Sequence, residues 1–179
     1  ENGALILGKT NLSEWAYYFC NNCPSGYSAM GGQTLNPYGR KKFDSGGSSS
    51  GSGVAISANF SSVSLGSETS GSILSPSSAN SIVGLKPTIG LVSRSGIVPI
   101  SSTLDTSGPM TKNVIDNAIV LKAISGFDQD DTFSVKKNNI DLESIINSSL
   151  KGKRFGVFND FLDDSLYSNA IKKIEKLGG

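Results

Sequence analysis

Apolar residues occur along the chain in two patterns, short continuous runs and runs at helical spacing. The short runs predict strands at residues 4–8, 63–65, 82–85 and 153–158. The helical spacing predicts helices over residues 14–19, 114–124, 141–150 and 164–177. Asn11 or Ser13 should cap the first helix, and its aromatic residues should lie on the buried side: Trp15, Tyr18 and Phe19.

Two polar segments separate some of these elements. Residues 21–39 are rich in glycine, asparagine and proline, so we expect a loop there. Residues 128–139 are polar and charged, but they lack the spacing and the closing glutamate of an EF-hand calcium loop. We therefore expect an exposed excursion rather than a metal site in this second segment.

One stretch of small residues stands apart from both patterns. Residues 45–53 are all glycine or serine, and a second serine-glycine turn surrounds Ser72, twenty-four positions after Ser48. Composition alone favours a flexible linker for such a run. However, it is followed by the small apolar residues of segment 54–58 and by the predicted strand at 82–85, so we expect packed loops instead.

Ser72 is predicted to lie where a loop enters a helix. Ile73 and Leu74 follow it, and Pro76 comes next, a residue that is common in the first turn of a helix. The first N–H groups of a helix have no partner within the helix, and they can hold a developing negative charge. Two small-residue loops of this kind can meet at one site.

The absence of histidine from all 179 residues excludes several kinds of site. A Ser-His-Asp triad, a Cys-His dyad and a histidine zinc site cannot be assembled within the chain. Residues 47–51 fit the G-x-S-x-G pattern of the α/β-hydrolases, with Ser49 at the centre. Without a histidine, and in a run so rich in serine, we interpret that match as accidental. No G-K-[ST] sequence follows the glycines, which argues against a phosphate-binding loop.

Charge and cysteine content narrow the remaining classes of protein. The formal net charge of +1 gives no case for binding nucleic acid or an anionic membrane surface. No apolar run approaches the ~20 residues of a membrane helix. Cys20 and Cys23 have neither a second pair of zinc ligands nor a thioredoxin-like setting. They are therefore predicted to be free thiols in a reducing cytoplasm.

Three motifs carry a resemblance to a known family. They are GGSS from Gly46, GSETSGSI from Gly66 and GLKPT from Gly84, and together they closely resemble the signature region of the amidase signature family. The resemblance implies an α/β fold, an α/β/α sandwich with a mixed central sheet. Because members of the family are much longer, residues 1–179 are expected to be the central portion of a single amidase domain. The N-terminal lysine segment and the C-terminal half would lie outside it.

The resemblance also implies roles for the serines. Matched by motif, Ser72 would be the nucleophile and Ser48 the bridging serine, which in the family follows a cis peptide bond. Ser49 would support them through hydrogen bonds. An oxyanion hole would be formed by four backbone N–H groups, those of Thr69, Ser70, Gly71 and Ser72.

The third member of the family's Ser-Ser-Lys triad is expected upstream of this chain. Lys9 belongs to the later GKTNL motif and Lys86 to the GLKPT turn, so neither matches the position of the general base. A serine needs such a base to become nucleophilic, and a lysine can serve when desolvation lowers its pKa. Residues 1–179 alone are therefore expected to be inactive or nearly so.

The function implied is hydrolysis of the C–N bond of a linear carboxamide, a small molecule, through a serine acyl-enzyme without metal or other cofactor. The nearest alternative is the amidase subunit of an aminoacyl-tRNA amidotransferase, which works with partner subunits and does not itself bind nucleic acid. A non-catalytic homologue is the other alternative. The resemblance leaves open a homodimer, and it does not identify which amide is cut.

Overall fold

The computed structural model describes residues 3–19, 21–136 and 140–179. The chain divides into two compact units, Glu1–Ile140 and Asp141–Gly179. In the first unit the strands and helices are, in chain order, β1 (Tyr27–Ser28), β2 (Gly32–Gln33), α1 (Ser50–Ser57), β3 (Val63–Glu68), α2 (Leu74–Ala79), β4 (Val83–Gly84), β5 (Thr106–Thr111) and α3 (Val114–Ile124). The second unit contains α4 (Leu142–Ile146) and α5 (Ser165–Lys176).

A three-stranded sheet in the order β3-β5-β4 forms the centre of the first unit. Strand β5 pairs antiparallel with both neighbours: Val63 lies opposite Thr111, and Glu68 lies opposite Thr106. Helices α1 and α3 both pack against this sheet, so the α/β fold class is confirmed. All sheet pairings among the described residues are antiparallel.

Strand β5 does not follow from the sequence pattern, because Pro109 lies within it and proline is rare in a central strand. The carbonyl of Pro109 accepts a hydrogen bond from the N–H of Leu85, just beyond the end of β4. The N–H and C=O of one strand residue point toward the same neighbour. The N–H that proline lacks would therefore face the side where β4 has already ended.

The core of the first unit combines few apolar side chains with many small polar ones. Ile56, Ile73 and Met110 are fully buried between the sheet and its helices. Asn36 and Asn80 are also buried, and each uses its amide to donate two hydrogen bonds to backbone carbonyls. The acceptors lie at the start of the first serine loop, at Asp44 and Ser45, and in α2, at Pro76 and Ala79, so these bonds hold the loop against the helix.

Two predictions near the start of the chain are wrong. Residues 4–8 form no strand, and Leu5, Ile6 and Leu7 are largely exposed because no described strand pairs with them. Residues Glu14–Tyr17 form a short 3₁₀ turn with left-handed backbone at Trp15 and Ala16, instead of an α-helix. The aromatic residues predicted to be buried, at positions 15, 18 and 19, are more than half exposed, and Trp15 and Tyr18 each make an edge-to-face contact with Phe19.

The second unit confirms the two predicted helices and contradicts the strand between them. Helix α4 is capped by the side chain of Asp141 and helix α5 by that of Asp164. Residues 153–158 form no strand, because no described segment pairs with them. Among the described residues, no helix combines the length and the apolar character needed to cross a membrane.

The cysteine prediction also needs correction. Cys23 is disulfide-bonded rather than a free thiol, and Cys20 lies outside the described residues. The absence of further zinc ligands and of a thioredoxin-like setting does not determine whether a cysteine forms a disulfide, which depends on whether another sulfur lies close enough. The cysteines therefore give no support for a reducing compartment.

Candidate active site

The first serine loop passes close to the start of α2. Gly46 has a left-handed φ of 64°, and a Cβ at this position would lie 2.6 Å from the Cα of Pro76. Only glycine avoids both the unfavourable backbone conformation and this contact. The loop can therefore lie directly against the α2 backbone. The peptide bond between Gly47 and Ser48 is cis, a feature that the family resemblance implied for the bridging serine.

Ser48 is buried and held by its backbone. Its carbonyl accepts hydrogen bonds from the N–H of Ser13 at 3.0 Å and from that of Ser50 at 2.8 Å. The side chain of Ser50 donates to the carbonyl of Gly46 at 2.6 Å. These bonds close the loop on itself before α1 begins, so the glycine-serine run is ordered structure and not a linker. The expectation of a loop is wrong for its second half, because Ser50–Ser57 form helix α1.

The two serine loops are joined directly. The N–H of Ser49 donates to the carbonyl of Ser72 at 3.0 Å. The Ser49 hydroxyl also bonds both the N–H and the carbonyl of Ser67 at 3.2 Å. Ser48 is thereby one residue away from a backbone contact with Ser72, and Ser49 makes hydrogen bonds to both Ser67 and Ser72.

Glu68 fixes the turn that contains Ser72. Its buried carboxylate accepts from the N–H of Ile73 at 2.7 Å and from that of Leu74 at 2.9 Å, at the start of α2. A carboxylate in this position accepts hydrogen bonds from N–H groups that have no partner within the helix. Its negative charge is also attracted to the positive, N-terminal end of the helix dipole. Ser72 precedes α2 by two residues, which confirms the predicted junction between loop and helix.

The N–H groups predicted to form the oxyanion hole lie just before this junction. Gly71 has a left-handed φ of 94°, which turns the chain between Ser70 and Ser72. Among the described residues, no protein group accepts a hydrogen bond from the backbone N–H of residues 69–72. These donors therefore remain available to a ligand.

Asp105 reaches the same turn from the start of β5. One carboxylate oxygen accepts from the hydroxyl of Thr69. The other accepts from the N–H of Ile100 at 2.7 Å and from that of Ser101 at 2.9 Å. Burial would raise the pKa of Asp105, but these hydrogen bonds and the nearby charge of Arg94 together hold it below its ordinary value.

Arg94 and Asp131 form an ion pair, with 2.8 Å between the guanidinium and the carboxylate. The prediction that residues 128–139 are an exposed excursion is wrong at this point, because the Asp131 side chain is 4% exposed. Residues 137–139 lie outside the described residues. The hydrogen bond from Arg94 lowers the pKa of Asp131 well below its ordinary value and raises that of Arg94.

A cavity of about 920 Å³ opens beside the first serine loop. Ser48 and Ser49 lie on its wall, and most of the remaining wall is apolar, including Trp15, Leu65 and Ile97. Ser72 is not part of the wall, although its carbonyl touches Ser49. The cavity can therefore hold an apolar group next to the first loop.

No lysine lines this cavity among the described residues. The ammonium group of Lys86 donates instead to the carbonyl of Leu104 at 3.0 Å. The structure thus brings together the serine loops predicted from the sequence, and the part of the chain that it describes places no lysine on the cavity wall beside Ser48. It adds the contact between Asp105 and Thr69, which spans thirty-six positions and is not visible in any local motif.

Comparison with known proteins gives consistent matches along the whole chain. A family model described as Amidase matches residues 1–178. A protein named "Probable amidase" from Arabidopsis thaliana is 45% identical, and the match covers 99% of this chain and 35% of that protein. A glutamyl-tRNA(Gln) amidotransferase subunit from Macrococcus caseolyticus is 42% identical, with 99% of this chain and 37% of that protein covered.

Solved structures agree with these matches. The native peptide amidase from Stenotrophomonas maltophilia matches with a TM-score of 0.90 and 46% identity, over 98% of this chain and 38% of its own. This chain therefore spans little more than a third of the length of the relatives it matches.

Proposed function

Because this chain belongs to the amidase family, we propose that it carries the nucleophile and the proton-relaying serine of a serine amidohydrolase. Ser72 is the nucleophile and Ser48 the relay. The single observation that supports this assignment best is the hydrogen bond from the Ser49 N–H to the Ser72 carbonyl, which joins the two loops at 3.0 Å. Such a bond fixes the distance between the loops that carry Ser48 and Ser72, whose hydroxyls must exchange a proton.

The proposed reaction has two steps. The Ser72 oxygen attacks the carbonyl carbon of a carboxamide, and its proton passes through the Ser48 hydroxyl to a lysine amine. The N–H groups of residues 69–72 hold the resulting oxyanion. The C–N bond then breaks, the proton returns to the leaving amine, and water hydrolyses the acyl ester to regenerate Ser72. These steps use no cofactor.

We propose that the lysine comes from outside residues 1–179. Those residues would then be the central portion of one amidase domain. Two observations support this. Lys86 is engaged with the carbonyl of Leu104, and the described cavity wall beside Ser48 contains no lysine. A cytoplasmic location stays a prediction from the sequence.

Ammonia release by the complete protein tests the proposal. We expect it to convert a peptide carboxamide or a small aliphatic amide to one equivalent each of carboxylate and ammonia, without any partner subunit. The same peptide with a free carboxylate in place of the carboxamide provides the control, because it has no amide nitrogen to release at that position. Absence of ammonia from every carboxamide, in a protein that is folded and contains the upstream lysine, would exclude the hydrolase.

A second candidate function follows from the relatives named as subunits of glutamyl-tRNA(Gln) amidotransferase. In that case the same serines would release ammonia from glutamine and a partner subunit would use it. Co-purification with a kinase-like partner, and glutamine hydrolysis that depends on that partner, would favour this candidate. A residue other than lysine at the upstream position would instead indicate a non-catalytic homologue.

A further inference from the structure

Asp105 connects two parts of the first unit that are distant from each other in the sequence. It is 8% exposed, and its two carboxylate oxygens accept from three donors. The hydroxyl of Thr69 donates to one oxygen, and the N–H groups of Ile100 and Ser101 donate to the other. An ionised carboxylate is an acceptor only, so it suits a site that offers three donors.

The two sides of this bridge belong to different functional regions. Thr69 is the first residue of the turn proposed to hold the oxyanion, and it follows the last residue pair between β3 and β5. Ile100 lies on the wall of the 920 Å³ cavity, together with Ile97 and Val98. Asp105 therefore spans from the cavity wall to the proposed oxyanion donors.

The loop that carries this wall is fixed at its other end by Arg94. The guanidinium donates to the carbonyl of Ser102 at 2.7 Å while it pairs with Asp131. It also lies 4.4 Å from the centre of the Phe133 ring. With both ends of the loop held, a displacement of Asp105 would be transmitted to Thr69 rather than absorbed by the loop.

The geometry points to Asp105 as a positioning residue for the hydrolysis reaction: it places the oxyanion turn, through the Thr69 hydroxyl, relative to the cavity wall at Ile100. The inference rests on the proposed function. Asp105 itself touches neither substrate nor reacting atoms. Its effect is to keep the N–H groups of residues 69–72 aimed at one point, a condition that matters in the transition state more than in the bound substrate.

Kinetics of single and double variants of the complete protein test this inference. Loss of one oxyanion donor lowers kcat about 10²- to 10³-fold in other enzymes. We expect Asp105→Ala and Thr69→Val, which only misplace donors, each to lower kcat about 10- to 100-fold and to change KM less than about threefold. The double variant should lose no more than the worse single variant, because both remove the same link.

Two controls separate positioning from general damage. Thr103→Val makes the same threonine-to-valine change at an exposed position in the loop between Ile100 and Asp105. It should leave kcat within about twofold of the wild-type value. Thr69→Ser keeps the hydroxyl and should restore most of the kcat lost in Thr69→Val. If Asp105→Ala does not fold, Thr69→Val alone decides the question, because it conserves volume and leaves the bonds to Ile100 and Ser101 in place.

Multiplicative losses in the double variant, or a rise in KM at constant kcat, would overturn the inference. The outcome is distinguishable from failure of the proposed function. If the wild-type protein releases ammonia and depends on Ser72, but Asp105 and Thr69 act independently, only the positioning role is lost. If hydrolysis does not depend on Ser72, the proposed function itself is lost.

Discussion

Replacement of Ser72 by alanine in the complete protein should abolish amide hydrolysis while leaving the fold intact. Without the hydroxyl no acyl-enzyme forms, and removal of the nucleophile from another serine hydrolase lowers kcat by about 10⁶-fold. Ser72 is only half-buried, and no described group receives a hydrogen bond from its hydroxyl. The loss of stability should therefore be within about 0.5 kcal/mol. Initial rates of ammonia release and urea unfolding measure the two effects.

Ser78→Ala is the matched control, since Ser78 is exposed on α2, six residues further along the chain. It should hydrolyse carboxamides at nearly the wild-type rate. A Ser72→Ala protein that keeps more than about a tenth of the wild-type kcat would show that another residue is the nucleophile.

Replacement of Gly46 by alanine should destabilise the first unit strongly, because it combines an unfavourable backbone conformation with a close contact to α2. A left-handed φ costs an alanine about 1–2 kcal/mol. The new Cβ would also lie 2.6 Å from the Cα and 2.7 Å from the N of Pro76, and such overpacking costs about 1–3 kcal/mol more. The sum, about 2–5 kcal/mol, is a large part of the about 5–15 kcal/mol that stabilises an ordinary domain.

Gly96→Ala separates the two contributions, because Gly96 has a similar φ of 80° but no atom within 4 Å of the place where a Cβ would lie. Urea unfolding of the complete protein should give a loss of only about 1–2 kcal/mol for this control. Equal losses for the two variants would mean that the loop and α2 are not packed as described.

The serine loops could be recognised from the sequence because their information is local. Glycine and serine at fixed spacing specify two tight turns, and Ser72 precedes Pro76 at the distance expected for the start of a helix. The family resemblance added which serine has which role. Neither source predicted that the bond between the loops is a backbone one, from the Ser49 N–H to the Ser72 carbonyl, since that contact depends on how β3 and α1 pack.

The elements that the sequence misplaced depend on partners distant in the chain. Residues 4–8 have the composition of a strand, but a strand also needs a neighbour with which to form hydrogen bonds. Strand β5 has such neighbours on both sides, which outweigh the presence of Pro109. Asp131 similarly appeared solvated because its partner, Arg94, lies thirty-seven positions away.

The polar core explains why the burial of Glu68 and Asp105 could not be predicted from the sequence pattern. Sequence patterns identify burial through apolar periodicity, whereas Glu68 and Asp105 are buried carboxylates whose hydrogen bonds replace apolar contacts. Nothing in the order of residues along the chain distinguishes them from exposed acids such as Asp44.

The central claim is that Ser72 forms the acyl-enzyme with help from the neighbouring loop. The most direct measurement is to treat the complete protein with a fluorophosphonate and to map the modified residue by peptide mass spectrometry. We predict one adduct per chain, on Ser72, formed more slowly in Ser48→Ala because the relay is lost. An adduct on any other residue, or equally fast labelling after Ser72→Ala, would contradict this claim.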